Sequence, residues 1–181
     1  FAMLGEASTP WPLPPDCRVV LVSLDEQKSW FHGGKRADLL AVAIDGQGDG
    51  IHAAVIEIKA RTSAGNAPRE AVDQVKRTLV ATARAHRPRD GDLSTRIWLN
   101  RIAEAVYAVA RESRIRLTEG EIRSLEKFRA GTGTNDFAGM ALVFVPGIAE
   151  ARSIQIERIE GDPVPIVQMN VDLSEKRLKA A

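Results

Sequence analysis

Two aliphatic runs, residues 39–44 and 51–58, are joined by a loop of glycine, aspartate and glutamine. Apolar runs on either side of such a loop are typical of a β-hairpin. The first run follows directly on Asp38, and the second contains Glu57 and is followed by Lys59. The sequence therefore predicts two antiparallel strands with charged side chains at their open end.

A β-hairpin would bring these charged side chains together. Side chains alternate between the two faces of a strand, so Glu57 and Lys59 point to the same face. The start of the first strand lies alongside the end of the second, so Asp38 is expected beside Glu57 although 57 − 38 = 19 positions separate them. Two carboxylates and an ammonium group should therefore converge at one end of the hairpin.

This cluster has the chemistry of a site for a hard divalent cation. Carboxylate and carbonyl oxygens are the ligands that Mg²⁺ and Mn²⁺ prefer, so Asp38, Glu57 and the carbonyl of Ile58 are candidate ligands. A bound metal ion activates water, and Lys59 is placed to orient that water or to offset charge in the transition state. These groups together predict hydrolysis of a phosphodiester. The alternative is that Glu57 and Lys59 form only a solvated charge pair on a strand.

At these residues the chain resembles the PD-(D/E)XK nuclease superfamily. Glu57-Ile58-Lys59 matches the (D/E)XK element, and Ala37-Asp38 matches the Pro-Asp element with alanine in place of proline. The resemblance covers roughly residues 18–86 and implies an α/β, restriction endonuclease-like fold, with a mixed β-sheet flanked by helices. It also implies Mg²⁺- or Mn²⁺-dependent cleavage of DNA, with Asp38 and Glu57 as metal ligands and Lys59 as the catalytic lysine.

A helix is predicted over residues 67–86, and Gln74 is the single long polar residue on its small-residue flank. RecB-like members of the superfamily carry a glutamine on the helix after the (D/E)XK strand, so the resemblance implies that Gln74 is an auxiliary catalytic residue. Their pattern has a tyrosine four positions later, where this chain has Thr78. The alternative is that Gln74 hydrogen-bonds only to loop backbone.

Basic residues flank the proposed cluster. Lys35 and Arg36 precede Asp38 and Arg61 follows the Glu-Ile-Lys element, so these three side chains are the candidate contacts to the DNA backbone. The net charge of +1 is no objection, because DNA binding needs a local basic surface and not a basic chain.

The remaining sequence predicts one domain over residues 18–181 after an extended, proline-rich lead-in over 1–17. Helices within about 92–130 are interpreted as an insertion that binds substrate or forms a homodimer. A flexible connector is predicted over 131–136. Three further strands are predicted at 140–145, 154–159 and 164–171. Pro165 is expected to keep the last of them at a sheet margin.

Composition and motif content limit the classes of protein to which this chain could belong. The single cysteine excludes an internal disulfide and a cysteine-rich zinc site, which fits a cytoplasmic protein, and no apolar run approaches membrane-spanning length. No nucleotide-binding loop is present, so any ATPase or helicase activity would come from other domains or subunits. We expect the endonuclease module of a larger restriction, phage-defence or DNA-repair protein. The alternative is a nuclease-like fold that no longer cuts and serves as a DNA-binding or protein-interaction module.

Overall fold

The computed structural model describes residues 13–31, 35–86 and 92–173, so most of the predicted lead-in lies outside the described residues. The predicted hairpin and all three predicted helices are present. In chain order the elements are β1 (Arg18–Ser23), a short 3-10 turn (Lys28–Trp30), β2 (Leu39–Ile44), β3 (Gly50–Ala60), α1 (Ala67–His86), α2 (Leu93–Glu112), α3 (Glu119–Ala130), β4 (Thr134–Val145), β5 (Ala151–Ile159) and β6 (Asp162–Asp172).

The strands form one six-stranded mixed sheet in the order β1-β2-β3-β4-β6-β5. The first three strands make an antiparallel meander, and β4 then joins β3 in parallel. A parallel pair needs a crossover connection, and the chain between β3 and β4 supplies it with all three helices. The predicted α/β class, with a mixed sheet and flanking helices, is therefore confirmed.

The three helices pack on one face of the sheet. Apolar side chains of α1, α2 and α3 share a single core with β1, β2 and β3. The segment interpreted as an insertion contributes buried residues to this core: Leu99, Ile102, Val106, Leu125 and Phe128. A second apolar cluster lies on the opposite face, where the sheet strands meet Leu13 and none of the described helices contributes. The helices of residues 92–130 are thus part of the main core and not an appendage to it.

Two local predictions were wrong. Residues 134–136, predicted within a flexible connector, begin β4, because Thr134 pairs with Gly50 of β3. Their polar sequence carries no strand signal of its own. Strand β6 is not at the sheet margin, since it lies between β4 and β5. Pro165 is tolerated because pairing of β6 with β4 begins only at Ile166, and Pro165 therefore lies where β6 pairs with β5 alone.

Helix α1 lies close against the sheet because β4 carries a glycine beneath it. A Cβ atom placed on Gly139 would lie 2.5 Å from Val75 Cγ1 and 3.2 Å from Leu79 Cδ1. Both distances are shorter than ordinary van der Waals contact, so Gly139 sets how near the helix can approach. The polar flank of α1 is thereby held near the start of β2.

Candidate functional site

The open end of the β2–β3 hairpin brings the two candidate carboxylates together. Leu39 pairs with Ile56 at the end of the ladder, and Asp38 directly precedes Leu39. Asp38 lies close enough to Glu57 for its charge to raise the pKa of Glu57. Backbone bonds fix the geometry, because the Asp38 N–H donates to the Ile56 carbonyl at 3.1 Å and the Ile58 N–H donates to Asp38 Oδ2 at 2.8 Å.

Glu57 is an ionisable side chain in a fully buried position, with 0% of its surface exposed. Lys59 Nζ lies 2.5 Å from Glu57 Oε1, and the lysine side chain is itself only 14% exposed. This contact is a close ion pair, since neither oxygen of Glu57 accepts a hydrogen bond of good geometry among the described groups. Glu57 Oε2 is therefore a buried carboxylate oxygen without a polar partner in the described part of the chain.

The surroundings of Glu57 disfavour its charged form. Burial is the main cause and raises the pKa of Glu57, and the neighbouring charge of Asp38 raises the pKa further. Lys59 lowers this pKa, and so does the nearby Asp38 N–H, although that N–H directs its hydrogen bond to Ile56. The net result is a pKa above the ordinary glutamate range. The Lys59 ammonium group thus does not fully offset the effect of burial on the Glu57 carboxylate.

The oxygen atoms at this point are of the kind that small divalent cations prefer. Oε2 of Glu57 lacks a hydrogen-bond partner among the described groups, and the charge of Asp38 is close enough to raise the pKa of Glu57. Ile58 directs its N–H toward β2, and the carbonyl of an extended residue points to the same side as its N–H. No group of three or more His, Cys, Asp or Glu side chains able to hold a metal occurs within residues 13–31, 35–86 and 92–173. Any cation would therefore depend on two carboxylates, one carbonyl and water, as Mg²⁺ sites often do.

Helix α1 holds the segment that leads into Asp38. Gln74 Nε2 donates to the Arg36 carbonyl at 2.8 Å, and Thr78 Oγ1 accepts from the Ala37 N–H at 2.8 Å. The contact of Gln74 is the loop-backbone hydrogen bond that the sequence left as an alternative, at a position bordering the carboxylates. The role of Thr78 was missed. Its only signal was a polar side chain within a flank of small residues.

The three candidate DNA contacts differ in how they are engaged. Arg36 is occupied by the protein, because its Nε donates to the Leu24 carbonyl at 2.9 Å and its Nη2 lies 2.6 Å from Asp25 Oδ1. Lys35 and Arg61 are exposed on either side of the hairpin end. The geometry therefore gives Arg36 a structural function in the segment before Asp38 and leaves Lys35 and Arg61 accessible to a polyanion.

Within the described residues, none of the helices has the length and apolar character needed to cross a membrane. Comparison of the chain with protein-family models, curated proteins and solved structures gave no match. The functional argument therefore depends on the geometry and chemistry of Asp38, Glu57 and Lys59.

Proposed function

We propose that this chain is a metal-dependent nuclease of the PD-(D/E)XK type that hydrolyses phosphodiester bonds of DNA. The observation that carries the proposal is the buried Glu57 carboxylate, which lies near Asp38 and forms a 2.5 Å ion pair with Lys59. A protein that needed only stability would be expected to fill this position with an apolar side chain, because burying charge is costly.

The architecture is consistent with a restriction endonuclease-like fold. The Glu-Ile-Lys element ends β3, and α1 follows that strand directly and returns along the same sheet. The parallel pairing of β3 with β4 makes β3 an interior strand of a mixed sheet. These features support the fold assignment that the motif suggested.

The residues divide the chemistry between them. Asp38, Glu57 and the Ile58 carbonyl would hold Mg²⁺ or Mn²⁺, which when bound lowers the pKa of a coordinated water. Lys59 is held against Glu57 and is placed to offset charge on the phosphorus-centred transition state. Gln74 fixes the backbone beside Asp38. Lys35 and Arg61 are exposed cations close in sequence to the carboxylates, and they would contact the flanking phosphates of DNA.

The test is cleavage of plasmid DNA with Mg²⁺ or Mn²⁺ by the wild type, Lys59→Ala and Lys28→Ala. Lys28 is an exposed lysine on the 3-10 turn and serves as the matched control. We expect Lys59→Ala to abolish cleavage and retain DNA binding, while Lys28→Ala cuts as the wild type does. Calcium should support binding without efficient cutting, because its looser coordination does not position the water. Wild-type protein that binds DNA but never cuts it would contradict the proposal.

A second candidate function is supported by the same ion pair. Lys59 already occupies one oxygen of Glu57, and a nuclease-like fold in which that pair stays closed would bind DNA or a protein without cutting. Absence of any Mn²⁺ binding by calorimetry, together with salt-sensitive DNA binding, would favour this second function. In either case we propose a module of a larger restriction, phage-defence or repair system, whose other domains or subunits supply any ATPase or helicase activity.

A further inference from the structure

We infer that Thr78 is a positioning residue that fixes the carboxylate of Asp38 through the backbone of Ala37. The inference rests on the proposed function, in which Asp38 is a metal ligand. Thr78 touches neither Asp38 nor Glu57 in any described hydrogen bond, and it lies on α1, 41 positions from Ala37. Its proposed role comes from its hydrogen bond to the backbone of Ala37, the residue before Asp38.

The hydroxyl of Thr78 is oriented to accept. It has one proton, which it donates to the Gln74 carbonyl at 3.0 Å within α1. Its lone pairs are thereby left for the Ala37 N–H, which lies 2.8 Å away. Both residues are buried, with Thr78 1% and Ala37 0% exposed, so water does not easily replace the hydroxyl. The hydrogen bond is therefore directional, and water does not easily take the place of the Thr78 hydroxyl.

The backbone from Arg36 to Asp38 is hydrogen-bonded on two sides, to α1 and to the sheet. On the helix side, Gln74 binds the Arg36 carbonyl and Thr78 binds the next backbone group, the Ala37 N–H. On the sheet side, the Asp38 N–H donates to Ile56 and the Asp38 carbonyl accepts from the Leu24 N–H at 2.9 Å. Asp38 therefore lies directly before β2 with its preceding peptide held against α1, and this placement positions its carboxylate.

A metal site is sensitive to such placement. Removal of a group that orients a metal-coordinating residue typically changes the metal affinity by about 10- to 100-fold. Loss of the Thr78 hydroxyl would release the peptide before Asp38 while leaving Asp38 itself unchanged. The expected effect is thus on the affinity for metal and on the rate at limiting metal, and not on the affinity for DNA at saturating metal.

The experiment compares Thr78→Val, which keeps the side-chain shape without the hydroxyl, with Thr78→Ser, which keeps the hydroxyl. Thr82→Val is the matched control, because Thr82 lies one turn further along α1 and donates to the Thr78 carbonyl of the same helix at 3.0 Å. Mn²⁺ affinity is measured by calorimetry, and cleavage is measured as a function of Mn²⁺ concentration. We expect the Mn²⁺ Kd of Thr78→Val to rise by about tenfold or more, with near wild-type values for Thr78→Ser and Thr82→Val.

The outcomes separate this inference from the proposed function. Wild-type protein that neither binds Mn²⁺ nor cuts overturns the proposed function and this inference with it. A wild type that cuts, beside a Thr78→Val variant that has lower thermal stability but wild-type Mn²⁺ affinity, overturns only the positioning role. Thr78→Ala is the second variant should Thr78→Val not fold. Failure of both to fold would assign Thr78 a purely structural role and would also overturn the inference.

Discussion

Replacing Asp38 by asparagine tests the candidate site most directly, because it removes one charge and keeps the shape. Asparagine Oδ1 can still accept the Ile58 N–H that Asp38 Oδ2 accepts at 2.8 Å. A hydrogen bond to a neutral acceptor is weaker than one to a carboxylate by about 1 kcal/mol. Against this loss stands relief of the repulsion between Asp38 and Glu57, which raises the pKa of Glu57 in the wild type.

The size of that relief depends on the distance between the two charges. Asp38 is hydrogen-bonded to both residues that flank Glu57, Ile56 and Ile58, and side chains of neighbouring positions on paired strands lie about 5 Å apart. Two like charges at that separation repel by about 3 kcal/mol at an effective dielectric constant of about 20, and by less than about 1 kcal/mol in water. Asp38 is only half-buried, so the true value lies between these limits. We therefore expect Asp38→Asn to leave the free energy of unfolding unchanged or to raise it by up to about 2 kcal/mol at neutral pH.

The assay is urea unfolding at neutral and acidic pH, with Mn²⁺ calorimetry on the same samples. Any gain in stability should vanish in acid, because protonation of Glu57 removes the repulsion in the wild type as well. Mn²⁺ binding should be lost, whereas Glu104→Gln, which removes an exposed carboxylate from α2, should retain it. A loss of 2 kcal/mol or more at neutral pH, or Mn²⁺ binding that survives Asp38→Asn, would refute the reasoning.

Three further predictions concern charge and packing. Burial raises the pKa of Glu57, so its contribution to stability is full at low pH and is lost as pH rises through the raised pKa; Glu57→Gln should remove this pH dependence in urea unfolding. Tyr107 is the single tyrosine, and burial with a hydrogen bond to Glu126 raises its pKa to about 12. An ultraviolet titration should find that value, and Glu126→Gln should lower it. Gly139→Ala should destabilise the protein by about 1–3 kcal/mol in urea unfolding, because its Cβ would lie 2.5 Å from Val75 Cγ1; a neutral result would mean that α1 shifts freely.

The hairpin was predictable because its signals are local. Two apolar runs and a Gly-rich loop define β2 and β3, and antiparallel pairing of the two strands brings Asp38 near Glu57. The extent of α1 was equally local, since its apolar stripe repeats at helical spacing up to His86. The role of the carboxylates as metal ligands stays a prediction, because the register shows proximity and not binding.

The contacts that complete the site could not be predicted, because they join parts of the chain that no local pattern connects. Thr78 lies 41 positions from Ala37, and the sequence around a threonine on a helix flank does not indicate its hydrogen-bond partner. Arg36 is predicted from sequence to contact phosphate, yet in the fold it binds the Leu24 carbonyl and Asp25. The placement of all the described helices on one face depends on crossover geometry and packing. These features follow only from tertiary structure.

The charges of the cluster bear on the order in which a cation and a phosphate would bind under the proposed function. With Glu57 ionised, the charges of Asp38, Glu57 and Lys59 sum to −1, and salt screens the charge of Glu57 only weakly because that side chain is fully buried. That sum repels a phosphodiester and attracts a divalent ion. Once such an ion is bound the sum becomes +1, which matches a single bridging phosphate. Under the proposed function, metal and DNA should therefore bind with positive coupling, and the affinity for DNA should rise when Mn²⁺ is added.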